Sequence, residues 1–193
     1  MKYLKIGLLS LIAVTLSKCS SDNESQDTFA EENPLPQLLQ QSGFDGEKIT
    51  YIDDNNAYEI GFGFTPAVNG NIKSLVVKLP KINNDIRVTI WDSETELPIL
   101  TETVNVTQAN QFITKNIAPL SLEQGHGYAI TMNTRDYYMW HRQNQGAATW
   151  PIMCGNIDIT TIHEDIVTDH EFPNFGVINA YFGDCTFIFQ QTE

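Results

Sequence analysis

This sequence is short of positive charge: 11 Lys and Arg stand against 24 Asp and Glu, a formal net charge of −13. Nucleic-acid phosphates are neutralised by clustered Lys and Arg, so DNA and RNA are excluded as partners. The same deficit argues against adsorption to anionic lipid headgroups, and any membrane attachment has to come from a covalent lipid. Cysteine is scarce too. Three are present and none sits in a C-x-x-C pair, so redox catalysis and a thiolate zinc site lack support. No apolar run reaches the about 20 residues that cross a bilayer. The chain contains no G-x-S-x-G, P-loop or dinucleotide fingerprint, and no serine has an arguable histidine partner. No 3.6-residue periodicity lasts long enough for a packed helix. Neither a cofactor nor a catalytic residue is indicated.

What is there begins at the N-terminus. Met1-Lys2-Tyr3-Leu4-Lys5 is basic, Ile6 to Leu16 is apolar, and Leu16-Ser17-Lys18-Cys19 closes the segment. That is the layout of a secretory signal. A cysteine just after the apolar run resembles the lipobox of bacterial lipoproteins, in which the thiol is diacylated and becomes the mature N-terminus. The alternative is an ordinary secretory signal with an incidental cysteine. Removing residues 1–18 takes away Lys2, Lys5 and Lys18, so 8 basic residues face 24 acids and the net charge becomes −16. Residues 19–36 are polar, acidic and end in Pro34-Leu35-Pro36. They lack the apolar surface to offset ordering entropy and read as a flexible tether. Acidic residues close to an acylated cysteine also resemble the export signal that carries some Gram-negative lipoproteins to the outer face of the outer membrane. The expected location is therefore a lipid anchor at the outer membrane, facing the cell exterior. With Cys19 acylated, Cys154 and Cys185 remain as an even pair in a disulfide-permissive compartment. A bridge between them is expected, with two free thiols as the alternative.

From Tyr58 onward the text is β. Runs rich in Val, Ile, Thr, Tyr and Phe recur with turn residues between them, which predicts an all-β antiparallel sandwich over residues 37–193. The expected form is jelly-roll-like with about nine to ten strands. Tyr58 to Phe64 and Ile72 to Leu79 flank Asn69-Gly70, the strongest short hairpin signal available. Ile86, Val88 and Ile90 alternate with Arg87, Thr89 and Trp91, so one face of that strand is core and Trp91 lies on the other. A short helical turn is expected over residues 37–43, before Gly43.

Ile60-Gly61-Phe62-Gly63-Phe64-Thr65-Pro66, Arg87-Val88-Thr89-Ile90-Trp91-Asp92, Pro119 to Leu122 with Gly127 to Ile130, and Asn179 to Phe187 are arranged as in a known family. Residues 58–190 resemble a family of bacterial β-sandwich modules of unknown function, appended to exported carbohydrate-active or adhesive proteins. The resemblance implies the fold and an extracellular role. It carries over no functional residue.

Two stretches carry candidate chemistry. In Tyr137-Tyr138-Met139-Trp140-His141-Arg142 a strand places Tyr138, Trp140 and Arg142 on one side and Tyr137, Met139 and His141 on the other. With Tyr137 and Met139 inward, Tyr138, Trp140 and Arg142 form an exposed aromatic–cation strip suited to stacking on a sugar ring, with Trp150 as a second wall. With the opposite packing these rings fill the sandwich. The second stretch is His163-Glu164-Asp165-Ile166-Val167-Thr168-Asp169-His170-Glu171. It is not H-E-x-x-H and has no EF-hand spacing, and it reads as a solvated acidic loop rather than a metal site. The expected function is a non-catalytic surface binding module for extracellular carbohydrate or another surface polymer. A structural or adhesin subunit and a small glycan-active hydrolase are the alternatives.

Overall fold

The computed structural model describes residues 29–51, 57–144, 146–166, 169–174 and 176–193. The expected signal segment, Cys19 and residues 20–28 of the expected tether lie outside the described residues. In chain order the elements are β1 Glu31–Glu32, α1 Pro34–Ser42, β2 Gly46–Tyr51, β3 Tyr58–Pro66, β4 Gly70–Lys78, β5 Asn83–Asp92, β6 Pro98–Val106 and β7 Ile113–Leu122. They continue with β8 Tyr128–Thr134, β9 Asp136–His141, β10 Ile152–Cys154, β11 Ile157–Ile166, β12 Gly176–Val177, β13 Ala180–Phe182 and β14 Asp184–Gln191.

All strand pairings are antiparallel. One sheet has the order β1-β14-β4-β7; a second runs β10-β11-β3-β8-β5-β6, with β12 added to β11; a small third sheet is β13-β9-β2. Strands β3 to β8 pass back and forth between the first two sheets, so the chain forms the antiparallel all-β sandwich that its alternation predicts. The inward faces are apolar. Ile60, Phe62 and Phe64 of β3 and Ile130 and Met132 of β8 meet Cys185, Phe187 and Phe189 of β14 and Ile72, Leu75 and Val77 of β4. The Phe64 and Phe187 ring centroids are 4.7 Å apart and those of Phe62 and Phe187 6.0 Å. Truncating such a ring costs about 3–5 kcal/mol.

The described residues form fourteen strands rather than the expected nine to ten, because several of them are short pairings of two or three residues, and three further expectations change. Residues 31–36 of the expected tether are structured: Glu31 and Glu32 pair with Gln190 and Phe189, and α1 begins at Pro34. Asn33 caps that helix by accepting from the Leu35 N–H at 3.1 Å, prolines occupy its first turn, and Gly43 ends it at φ 71°. Leu35 and Leu38 bury its apolar stripe. The helix therefore starts earlier than the expected turn and stops at the expected glycine.

Asn69-Gly70 makes no hairpin. β3 pairs with β8 and β11, whereas β4 pairs with β7 and β14, so this turn carries the chain from one sheet to the other. Asn69 is taken up by long-range bonds: its Oδ1 accepts from the Gln124 N–H at 2.8 Å and its carbonyl from the Thr192 N–H at 3.1 Å. Gly70 is needed for close approach, because a Cβ there would run into the Phe189 ring.

The expected bridge is also absent, and Cys154 and Cys185 are free and buried. Cys154 ends β10 in the second sheet, while Cys185 points from β14 of the first sheet into the core. Burial pushes the Cys154 thiol up to about 12 and raises that of Cys185 further. The thiolate is the reactive form, so neither thiol is poised for exchange in the folded chain. In a Cys19→Ser chain prepared without reductant, two thiols should react with a maleimide on unfolding and essentially none before it. Detecting no thiol in the unfolded chain would contradict this.

Candidate functional site

The three-stranded sheet settles which face of β9 meets the core. Trp140 is paired with Tyr181 of β13 and Glu47 of β2, and Tyr181 is fully buried in the sandwich, 6.2 Å from the Phe62 ring. Tyr138 and Trp140 share that inward side. Tyr138 is only 2% exposed and its hydroxyl donates to the Asn110 side chain. Trp140 is half-buried against the core, and its Nε1–H donates to Asp184 Oδ1 at 2.6 Å. An aromatic–cation group does exist here, but its cation is Lys78. The Lys78 ammonium lies 4.1 Å from the Tyr138 ring centroid, 5.7 Å from that of Trp140 and 5.4 Å from that of Phe112. It is also 3.1 Å from Asp184 Oδ2. The rings are thus occupied by the chain's own lysine.

Arg142 lies just past the end of β9 and serves the backbone. Its Nε–H donates to the Ser42 carbonyl at 2.7 Å, satisfying the C-terminus of α1, and its Nη1 donates to the Ala147 carbonyl at 2.6 Å. Trp150 packs on Phe44 with ring centroids 6.4 Å apart. Of the four expected ligand-contacting residues, the structure brings together Tyr138 and Trp140. It sets Arg142 and Trp150 to hold the segment around α1.

On the opposite face of β9, Tyr137 is buried with its ring centroid 6.2 Å from that of Phe182, and the open part lies beyond it at Met139 and His141. Lys48, Met139 and Phe182 form one row across β2, β9 and β13, and Gly46, His141 and Ala180 form the next. With Asn179 at the rim, Lys48, Met139, His141, Ala180 and Phe182 line a cavity of about 380 Å³. The floor is apolar, made by Met139, Ala180 and Phe182. The polar groups are an ammonium, an imidazole and an amide, with no carboxylate among the described lining residues. Gly46 makes room for the imidazole, since a Cβ there would be 2.5 Å from His141 Cε1. The His141 ring is oriented by a 2.9 Å bond from Nδ1 to the Arg142 carbonyl. The alternation in 137–142 pointed to this strand, but its polarity depended on β13, whose pairing with β9 the local sequence does not show.

A second constellation escaped the sequence reading. On the outer face of the large sheet, Thr89, Thr131, Gly61 and His163 fall in one cross-strand row, and Arg87, Asn133, Glu59 and Asp165 in the next. Trp91 is on this face, as its alternation requires, but it is 1% exposed because His170 and Phe172 cover it, with ring centroids at 4.9 and 5.8 Å. Its Nε1–H donates to Thr131 Oγ1 at 2.7 Å, Thr131 donates to Glu59 Oε1 at 2.6 Å, and Arg87 and Asn133 reach Glu59 Oε2 at 2.9 and 3.1 Å. Glu59 is fully buried. The available signal was the run of Gly, Thr, Asn, Glu and Arg at alternate positions of three strands, where a solvated face was the simpler reading. Of the run 163–171, residues 167 and 168 lie outside the described residues, and no group of three metal-ligating side chains gathers among the described ones.

No protein-family model and no curated protein matches this chain.

His163 gives the outer face a pH dependence. It is 8% exposed, its Nδ1 has no partner among the described residues, and burial takes the imidazole down to about 4, against a smaller opposing pull from the Pro173 carbonyl. A histidine whose folded value is depressed contributes stability above its unfolded value of 6.5, and that contribution disappears as pH falls through about 4. The gap corresponds to roughly 3 kcal/mol. Glu164 and Asp184 are shifted upward by burial and work in the other direction, favouring the fold at low pH. Unfolding free energy should therefore fall between about pH 6.5 and 4. The slope should flatten in His163→Phe, as read by urea titration at a series of pH values. An unchanged slope in the variant would assign the effect elsewhere.

Proposed function

We propose that this chain is a non-catalytic ligand-binding module, held at the cell surface through Cys19, that takes a residue of an extracellular carbohydrate or related surface polymer into the cavity beside β9. The observation that carries this reading is the cavity itself. An apolar floor of Met139, Ala180 and Phe182 is bordered by three converging polar side chains, the composition of a small-ligand site. A ring lying on its C–H face suits the floor, and its hydroxyls suit the border. Hydrolysis of a glycosidic bond needs two carboxyl groups about 5–9 Å apart. The described residues of the cavity lining hold none, which favours binding over cleavage.

The site is tested with Asn179→Trp. Asn179 is exposed at the rim, so an indole there blocks the cavity without disturbing the core. A panel of soluble polysaccharides in affinity electrophoresis should retard the wild-type chain with at least one member. Asn179→Trp should lose that retardation at unchanged melting temperature. A variant retarded as strongly as wild type would remove the cavity from consideration. The surface attachment is tested separately: Cys19→Ala should move the protein from the membrane fraction to the soluble fraction, because nothing else in so acidic a chain supplies stable attachment. A variant that still sediments with membranes in high salt would contradict the anchor.

A further inference from the structure

We infer that the residue held in the cavity is a carboxylated sugar of the hexuronate class; this rests on the reading of the cavity as the ligand site and adds the chemistry of what enters it. The first argument is the disposition of cations. The described residues include five lysines. Lys73 stands 3.4 Å from Glu31, Lys78 3.1 Å from Asp184, Lys81 3.5 Å from Asp136 and Lys115 2.6 Å from Glu102. Lys48 alone among the described lysines has no carboxylate of the described residues within ion-pairing distance. It is exposed at the edge of the cavity, whose lining contains no acid. In a chain of net charge −13, a cation left without a counter-ion among the described residues, at the mouth of a cavity with an apolar floor, is an anion-recognising group.

The second argument is the tautomer of His141. A backbone carbonyl only accepts, so the 2.9 Å contact with the Arg142 carbonyl places the ring proton on Nδ1. In the neutral ring Nε2 is then a bare acceptor and calls for a hydroxyl donor. Asn179 supplies an amide that both donates and accepts. The cavity thus asks for a carboxylate opposite Lys48 and a hydroxyl opposite His141. Between them it asks for an apolar face to lie on Met139, Ala180 and Phe182. A hexuronate ring joins these three features in one residue. A simple carboxylic acid lacks the hydroxyl and a neutral hexose lacks the carboxylate.

The experiment uses the mature chain in isothermal titration with oligomers of polygalacturonate and of alginate. Fully methyl-esterified oligogalacturonate serves as the neutral counterpart and polyglutamate as an acid without sugar hydroxyls. Binding of at least one uronate is expected, with affinity at least ten-fold above that of the ester and of polyglutamate. Lys48→Met should remove the preference over the ester at unchanged melting temperature. Equal binding of acid and ester, abolished in both cases by Asn179→Trp, would overturn the uronate assignment while leaving the cavity as the site. Binding of a uronate that survives Asn179→Trp would overturn both. Failure of both uronates to bind would overturn the assignment, and the neutral polysaccharides then judge the cavity alone.

Discussion

Asp184 is the first residue of β14, and its side chain is 1% exposed where the three-stranded sheet meets the four-stranded one. Burial raises its pKa, and the Lys78 ammonium and the Trp140 indole N–H oppose that shift by favouring the charged form. A carboxylate in such a place is costly unless it is paired and hydrogen-bonded, and removing one partner of a buried pair is more damaging than never having built it. The pair therefore does more for specificity than for stability. It ties β14, β4 and β9 together, so Trp140 has to face the sandwich. Because strand side chains alternate, Met139 and His141 then have to face away. A one-residue slip of β9 would exchange the two sets and close the cavity with indole and phenol.

Glu59 shows the same problem solved on the opposite side of the molecule. Each of its oxygens is served, Oε1 by Thr131 and Oε2 by Arg87 and Asn133, and the network continues through Trp91 to the His170–Phe172 cover. The donors come from β5 and β8, the two strands that follow β3 across the sheet. Their alternation is regular enough that all three side chains point the same way. A row of Thr and Gly beneath an aromatic cover holds residues 169–174 onto the sheet with directional bonds rather than apolar area alone. His163 is the weak point of this arrangement, being buried with one nitrogen unserved among the described residues.

Much of the scaffold was legible in the chain, since period-2 alternation is a local property and the sandwich interior follows from it. Trp91 could be assigned to the outer face from Ile86, Val88 and Ile90 alone. What alternation does not show is which neighbour a strand takes. Asn69-Gly70 has the composition of a hairpin turn, yet the flanking strands pair elsewhere because Phe189 and the C-terminal residues take up the turn. Cys154 and Cys185 looked like a pair by count, but connectivity depends on which sheet each strand joins. The polarity of β9 was open for the same reason: two alternating sets of aromatic and polar side chains are equally plausible as core until Tyr181 and Asp184 are in place. The cavity was illegible because three separate segments contribute to it, one of them only from residues 179–182.

A net charge of −13 taken alone disfavours an acidic ligand. Its effect depends on range. Charges separated by more than about 8 Å are largely screened at physiological ionic strength, so the diffuse negative surface acts mainly as a weak barrier to approach. Inside the cavity the relevant distances are short and the described lining contributes Lys48 with no opposing carboxylate. The general repulsion then becomes selective. On the proposed uronate reading, an acidic polymer that merely offers charge would meet the barrier without the compensation, whereas one whose ring also fits the apolar floor and satisfies His141 would gain both. Discrimination between polyanions would come from the mismatch between a repelling surface and one attracting recess, which a uniformly basic protein could not provide.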